Sequence, residues 1–149
     1  MLGVYGIHVP RGRDIYQRPL RVAIALDTSG RISNTMLRTF LSEVINIIDD
    51  FPDVVVLLIQ TDGKVYKYDE FRSSESLPEV EVSGKGGRNT TPTFDFIEED
   101  RWKPDLLVYF TDLDVDFPNH IPSYYVVWIT TGDKTDVPFG EVLTYDSSI

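Results

Sequence analysis

The sequence has no cysteine and only two histidines, His8 and His120, in 149 residues. Disulfides, thiolate nucleophiles and cysteine-ligated zinc are thereby excluded, and a histidine-rich metal centre lacks its ligands. Basic residues are also few: 14 Lys and Arg stand against 24 Asp and Glu, a formal net charge of -10. Phosphate binding depends on clustered Lys and Arg, so nucleic acid is not an expected partner, and a cation or a basic partner is favoured. No uninterrupted apolar segment is long enough to span a bilayer, and the N-terminus lacks the charged, apolar and small-residue order of a signal peptide. These absences lead to the expectation of a soluble, cytoplasmic protein without a membrane anchor, and the length suits a single core.

What the chain does have is a set of short apolar runs that end in polar residues. Val22-Ala23-Ile24-Ala25-Leu26 leads directly into Asp27-Thr28-Ser29-Gly30. A run that apolar reads as a strand covered on both faces, as in a parallel sheet. Its polar residues then fall at the carboxyl end, where open α/β sheets bind ligands. Ser33 or Asn34 can cap a following helix, because Leu37, Phe40, Leu41, Val44, Ile45, Ile48 and Phe51 recur at three- and four-residue spacing before Pro52. Val54 to Ile59 is a second buried run, so strand, helix and strand form a right-handed crossover with parallel neighbours.

Thr61-Asp62-Gly63-Lys64 reads as a tight turn into a more alternating, charged run from Val65 to Phe71, which suits an antiparallel edge strand. A long polar, glycine-containing connection occupies 72–89, a length usual for a functional or mobile loop. Thr90 to Trp102 has a short helical pattern with Phe94, Ile97 and Trp102 facing inward, and Pro104 ends it. Leu106 to Phe110 and Tyr124 to Ile129 are two further buried strands, with no room for a helix between Asp112 and Pro122, and Glu141 to Tyr145 adds a last short strand. The expected fold is α/β: a doubly wound, mostly parallel sheet with one antiparallel edge strand and reduced helix content in the C-terminal half. Residues 1–19, with Arg11, Arg13 and Arg18, read as a basic N-terminal arm carrying one short strand around Val4 to Val9, and 20–149 as the domain.

Chemistry concentrates at the strand ends. If the strand at Leu106 lies beside the first strand, opposite the one at Val54, Asp27 and Asp112 face each other across the point where strand order reverses. With Ser29 and a threonine of Gly87-Arg88-Asn89-Thr90-Thr91, they make a hard-oxygen set suited to Mg2+ or Mn2+, with a coordination position left for a partner's acid. Asp62 is explained by its turn, Asp114 and Asp116 by a solvated loop, Thr111 and His120 by structural and surface roles, and Trp102 and Trp128 by the core.

These residues resemble the von Willebrand factor A (VWA) fold and its metal-ion-dependent adhesion site (MIDAS), whose pattern is Asp-x-Ser-x-Ser, then Thr, then Asp. More closely, Ala25 to Gly30, the glycine-rich loop before Thr90, Leu107 to Asp112 and the ending from Trp128 to Gly140 are similar to the C-terminal VWA-like domain of predicted bacterial metallopeptidases of uncharacterised function. The resemblance implies metal ligation by Asp27, Ser29, Thr90 and Asp112, with Thr91 equally eligible as the second-loop threonine. It also implies a protein partner engaged through an acidic side chain, with MoxR-type AAA+ ATPases as a partner class. The upstream peptidase-like region and its zinc motif have no counterpart in this sequence, so proteolysis is not carried over. The second serine of the pattern is replaced by Arg31, a permanent cation. Pointing inward, Arg31 can pair with Asp27 or Asp112 and substitute for the metal's charge; pointing outward, it leaves Ser33 or water to complete the shell.

Three functions follow. The first is a non-enzymatic interaction module with a MIDAS-like cation site, and the second is a metal-independent scaffold in which Arg31 replaces the cation. The third is a phosphatase-like hydrolase, because Phe110 to Val115 is similar to the nucleophile motif of haloacid-dehalogenase-like enzymes, with Asp112 as nucleophile and Asp114 as acid/base. The acidic motif Gly132 to Asp136 follows so closely that the intervening hydroxyl and lysine motifs have no room. The missing helix after Asp112 leaves part of one sheet face to be covered by homodimerisation or by the basic arm.

Overall fold

A computed structural model describes residues 19–51, 53–72, 79–80, 86–99 and 102–145. The arm expected over 1–19 lies outside the described residues apart from Pro19, as does Pro52. Eight elements follow in the order β1 (Leu20–Asp27), α1 (Asn34–Ile48), β2 (Val54–Thr61), β3 (Val65–Arg72), α2 (Thr91–Glu99), β4 (Leu106–Thr111), β5 (Tyr125–Thr130) and β6 (Glu141–Thr144). The strands form one six-stranded sheet in the order β3-β2-β1-β4-β5-β6. All neighbours are parallel except β2 and β3. The strand order reverses between β1 and β4, which places a crevice beyond their carboxyl ends.

The strands expected from apolar runs form because both of their faces are covered. From β1, Val22, Ile24 and Leu26 pack with Leu37, Phe40, Leu41, Ile45 and Ile48 of α1. Ala23 and Ala25 face the opposite side with Phe94 and Ile97 of α2. The two-residue alternation of a strand thus divides one apolar run between two cores. Phe40 and Phe110 stack at 4.1 Å between ring centroids in the first of these.

No helix lies between Asp112 and Tyr124, as expected, yet the α2 face is not left bare there. The irregular segments after β4 and β5 bring in Phe117 and Phe139, which pack on the fully buried Trp128 at centroid distances of 5.2 and 5.9 Å. Tyr109 and Phe94 complete the group at 5.0 and 5.9 Å from the same ring. The Trp128 indole N–H donates to the Phe139 carbonyl at 2.9 Å, which satisfies the ring's polar atom and fixes the segment before β6. Rings from loops therefore do part of what a helix does elsewhere in the sheet.

Two helix boundaries differ from the sequence expectation. The first helix stops at Ile48, not at Phe51, because Asp49 caps it and the Phe51 N–H bonds back to the Ile48 carbonyl in a tightened turn. Phe51 still packs against the core. Trp102 lies beyond α2, which ends at Glu99; it is buried all the same, donates to Glu70 Oε1 at 2.6 Å, and has the Arg21 guanidinium 4.8 Å from its ring centre. No helix among the described residues is long and apolar enough to cross a membrane.

Ser33 is the N-cap of α1, its hydroxyl accepting from the Met36 N–H at 3.1 Å. Replacing it with alanine leaves that donor unpaired, so Ser33→Ala is expected to lower the unfolding free energy by about 1 kcal/mol, with an unchanged denaturant slope in urea unfolding.

Candidate site at the carboxyl ends of β1 and β4

Asp27 is the last residue of β1 and is almost fully buried. Its carboxylate is held from two directions, Oδ1 accepting from the Ser29 N–H at 3.0 Å and Oδ2 from the Thr111 hydroxyl at 2.8 Å. Asp112 directly follows β4 and accepts the Asp114 N–H through Oδ1 at 2.9 Å. Leu113 between them adopts a left-handed backbone, φ 63°, and its N–H donates to the Thr111 hydroxyl at 3.2 Å. Thr111, expected to be structural, therefore joins the two acids: it donates to Asp27 and accepts from the turn that carries Asp112.

Arg31 points inward. Its Nε donates to Asp112 Oδ2 at 2.8 Å and its Nη2 to Asp27 Oδ2 at 3.2 Å. Nη2 also lies 3.5 Å from Asp112 Oδ1, and Nη1 reaches the carbonyls of Gly86 and Gly87 at 3.3 and 3.5 Å. One planar cation with donors on three nitrogens is thus shared among the first, second and third loops. Burial works against the Arg31 charge. The hydrogen bond to Asp112 and the fields of Asp27, Asp112 and Asp114 outweigh it and hold the guanidinium above its ordinary pKa.

The other expected ligands are placed differently. Ser29 lies in the same loop, and its hydroxyl is enclosed without a hydrogen-bond partner among the described residues. The Thr90 hydroxyl donates to the Asp116 carbonyl at 2.6 Å, and its N–H reaches the same oxygen at 3.0 Å. Thr91 opens α2, its N–H donating to Asn89 Oδ1 at 3.0 Å. The structure therefore brings Asp27, Arg31 and Asp112 together, seats Ser29 beside Asp27, and uses Thr90 to stitch the second loop to the third. Asn89 and Asp116 form a parallel bridge along that seam.

As arranged, the donors match a guanidinium and not a divalent ion. A magnesium-sized ion needs oxygens at about 2.0–2.1 Å in near-octahedral order. Here the facing oxygens of Asp27 and Asp112 already carry Arg31, and the Thr90 hydroxyl is given to a carbonyl. A second cation between the carboxylates would stand directly against the first. Among the described residues, no three His, Asp or Glu side chains converge as a metal site does.

Several participants carry no motif. The carbonyls of Gly86 and Gly87 are backbone groups, and any residue supplies a carbonyl; the signal lies in why glycine is required. A Cβ on Gly87 would fall 1.5 Å from the Asp62 carbonyl oxygen and 2.8 Å from Gly63 Cα, so the second loop lies directly on the β2–β3 turn. Asp62, assigned to that turn, has its N–H bonded to the Lys64 carbonyl at 3.2 Å. Asp114 is not merely solvated: it pairs with Lys134 at 2.8 Å and Arg88 at 2.7 Å. The Lys134 hydrogen bond is the main reason its carboxyl lies below the usual value, with the Arg88, Lys134 and Arg31 charges adding and burial opposing. His120 is exposed and lies 3.0 Å from Glu98.

Gly87→Ala must push the second loop off the Asp62 carbonyl and take both acceptors of Arg31 Nη1 with it. The expected loss is about 1–3 kcal/mol of stability, with amide shifts at Ser29 and Asp112 in heteronuclear NMR spectra. Retained stability and unmoved amides would show that the loop does not depend on this contact.

No curated protein and no solved structure matches the chain. The family model described as a VWA-like domain (DUF2201) matches residues 22–146, from the second residue pair of β1 to just beyond β6. The strand order, the β1–β4 crevice and this match agree, and the chain belongs to the VWA-like domain family DUF2201.

Proposed function

We propose that this domain is a protein-interaction module that docks through the crevice beyond β1 and β4, with the Arg31 guanidinium in the place of a divalent cation. One observation carries the reading: Arg31 bonds to both Asp27 and Asp112, the acids that would otherwise share the ion. A guanidinium supplies one positive charge and fixed N–H directions, and it cannot be shed at any physiological pH. The loops at the crevice are therefore held in one arrangement without a metal, as a scaffold for a partner's surface.

The same contacts weigh against the hydrolase alternative. The proposed nucleophile, Asp112, accepts hydrogen bonds at both oxygens, and the proposed acid/base, Asp114, is held by two cations. Both carboxylates are thus engaged by hydrogen bonds or cations where the hydrolase reading needs a free nucleophile and a free acid/base. Family resemblance offers MoxR-type AAA+ ATPases as a partner class for the docking reading.

Thermal unfolding with increasing Mg2+ or Mn2+ tests the reading, because a ligand that binds only the folded state raises Tm. The wild-type protein is expected to show no rise. Arg31→Ser, which restores the family's second serine, is expected to lose stability without metal, by roughly 1–3 kcal/mol from hydrogen-bonding carboxylate oxygens left without their donor. It should then regain Tm as metal is added. A saturable rise in the wild type would place the ion in the crevice and overturn the proposal.

A further inference from the structure

The end of the sheet opposite the crevice holds a second concavity, where α2 runs out and β4 and β5 begin. It measures about 560 Å³ and is lined by Ile97 and Glu98 of α2, Lys103 and Pro104 ahead of β4, and Ser123 and Tyr124 ahead of β5. Small-molecule sites commonly enclose about 300–1,000 Å³, an apolar surface with a few polar groups set into it. This hollow has that make-up. Ile97 and Pro104 are buried and give it an apolar floor, and the rings of Tyr124 and Tyr125 add aromatic surface.

Three charged residues border it, and they are engaged differently. Asp105 is tied to β1, its carboxylate accepting from the Arg21 N–H at 2.9 Å, so it serves the start of the sheet. Glu98 is exposed and meets the His120 ring at 3.0 Å through Oε1. Burial first, and the Glu98 charge second, raise the Tyr124 phenol above its ordinary pKa, which sets that carboxylate near the polar end of the ring. Lys103 is exposed and has no ion pair among the described residues. Its backbone is left-handed, φ 52°, directly before Pro104. A side chain disfavours that region, and a following proline pushes the residue before it towards extended backbone. Glycine would make this turn at lower cost, so the lysine is held here against its own preference.

We propose that this hollow binds a small zwitterion with an apolar body, the chemistry of a free α-amino acid with an apolar side chain. The ligand's carboxylate meets the Lys103 ammonium, its ammonium meets Glu98, and its side chain lies on Ile97, Pro104 and the tyrosine rings. A plain anion would bring its charge against Glu98, and a plain amine would bring its charge against Lys103. Only a ligand carrying both charges satisfies both walls. The strained lysine then has a use that glycine could not serve, and the site shares no residue with the crevice beyond β1 and β4.

An NMR titration of the full chain tests this, with L-phenylalanine as the probe and phenethylamine and hydrocinnamate as its single-charge analogues. Phenylalanine is expected to shift the Glu98, Lys103, Ser123 and Tyr125 amides saturably and to leave those of Ser29 and Asp112 unmoved. Each analogue is expected to bind at least about tenfold more weakly. Lys103→Gly relieves the backbone and should keep Tm while weakening phenylalanine at least about tenfold, which separates a ligand contact from a folding role. Glu98→Gln, with little change of shape, should weaken it comparably. Absence of a saturable shift, shifts confined to the crevice amides, or an analogue that binds as tightly as phenylalanine would overturn the proposal. So would undiminished binding by Lys103→Gly or Glu98→Gln.

Discussion

Two aspartates at the ends of adjacent parallel strands repel each other, and the fold has to compensate them before it can close the crevice above. Thr111 and the Ser29 amide stabilise Asp27 by hydrogen bonding, but neither brings a charge. Arg31 does, and its position ties the chemistry of the strand ends to the geometry of the loops. The guanidinium reaches Asp27 in its own loop, Asp112 in the third and the Gly86 and Gly87 carbonyls in the second. Removing that cation leaves like charges facing each other at the reversal of strand order, with one of them nearly buried.

The rest of the upper surface is arranged to hold these three loops in register. The second loop is pressed onto the β2–β3 turn where only glycine fits, and is sewn to the third loop by Thr90, Asn89 and Asp116. The third loop carries its own charge compensation, Arg88 and Lys134 on Asp114. Below, the aromatic group around Trp128 lets irregular chain cover a face that lacks a helix, at a gain of about 0.5–1.5 kcal/mol per ring pair beyond area burial. The loops are thus cross-linked to one another above a sheet covered on both faces.

Much of this was legible in the sequence because it rests on periodicity. The buried strands follow from unbroken apolar runs and α1 from residues three and four apart, whereas the reversal of strand order entered only as the condition under which the two acids would face each other, and the structure meets it. Features that depend on where a side chain turns were not legible. Arg31 had two directions open to it, since a long side chain selects its rotamer from tertiary contacts, and the Thr90 hydroxyl had a carbonyl available that sequence does not place. Thr111 was passed over because a threonine at a strand end is common; its role comes from the neighbouring strand, not from its own segment. The carbonyls of Gly86 and Gly87 left only an indirect trace, a glycine pair with no side chain to suggest a function. Trp102 fitted the period of α2 yet lies beyond its end, because the Glu70 acceptor and the Arg21 cation decide where that ring goes.

Whether a guanidinium or a metal ion neutralises Asp27 and Asp112 is most directly decided by crystals grown in manganese chloride and measured at the manganese absorption edge. The expected map has planar guanidinium density from Arg31 between the two carboxylates and no anomalous peak there. A manganese peak bonded to Asp27 or Asp112, with Arg31 turned out to solvent, would contradict it.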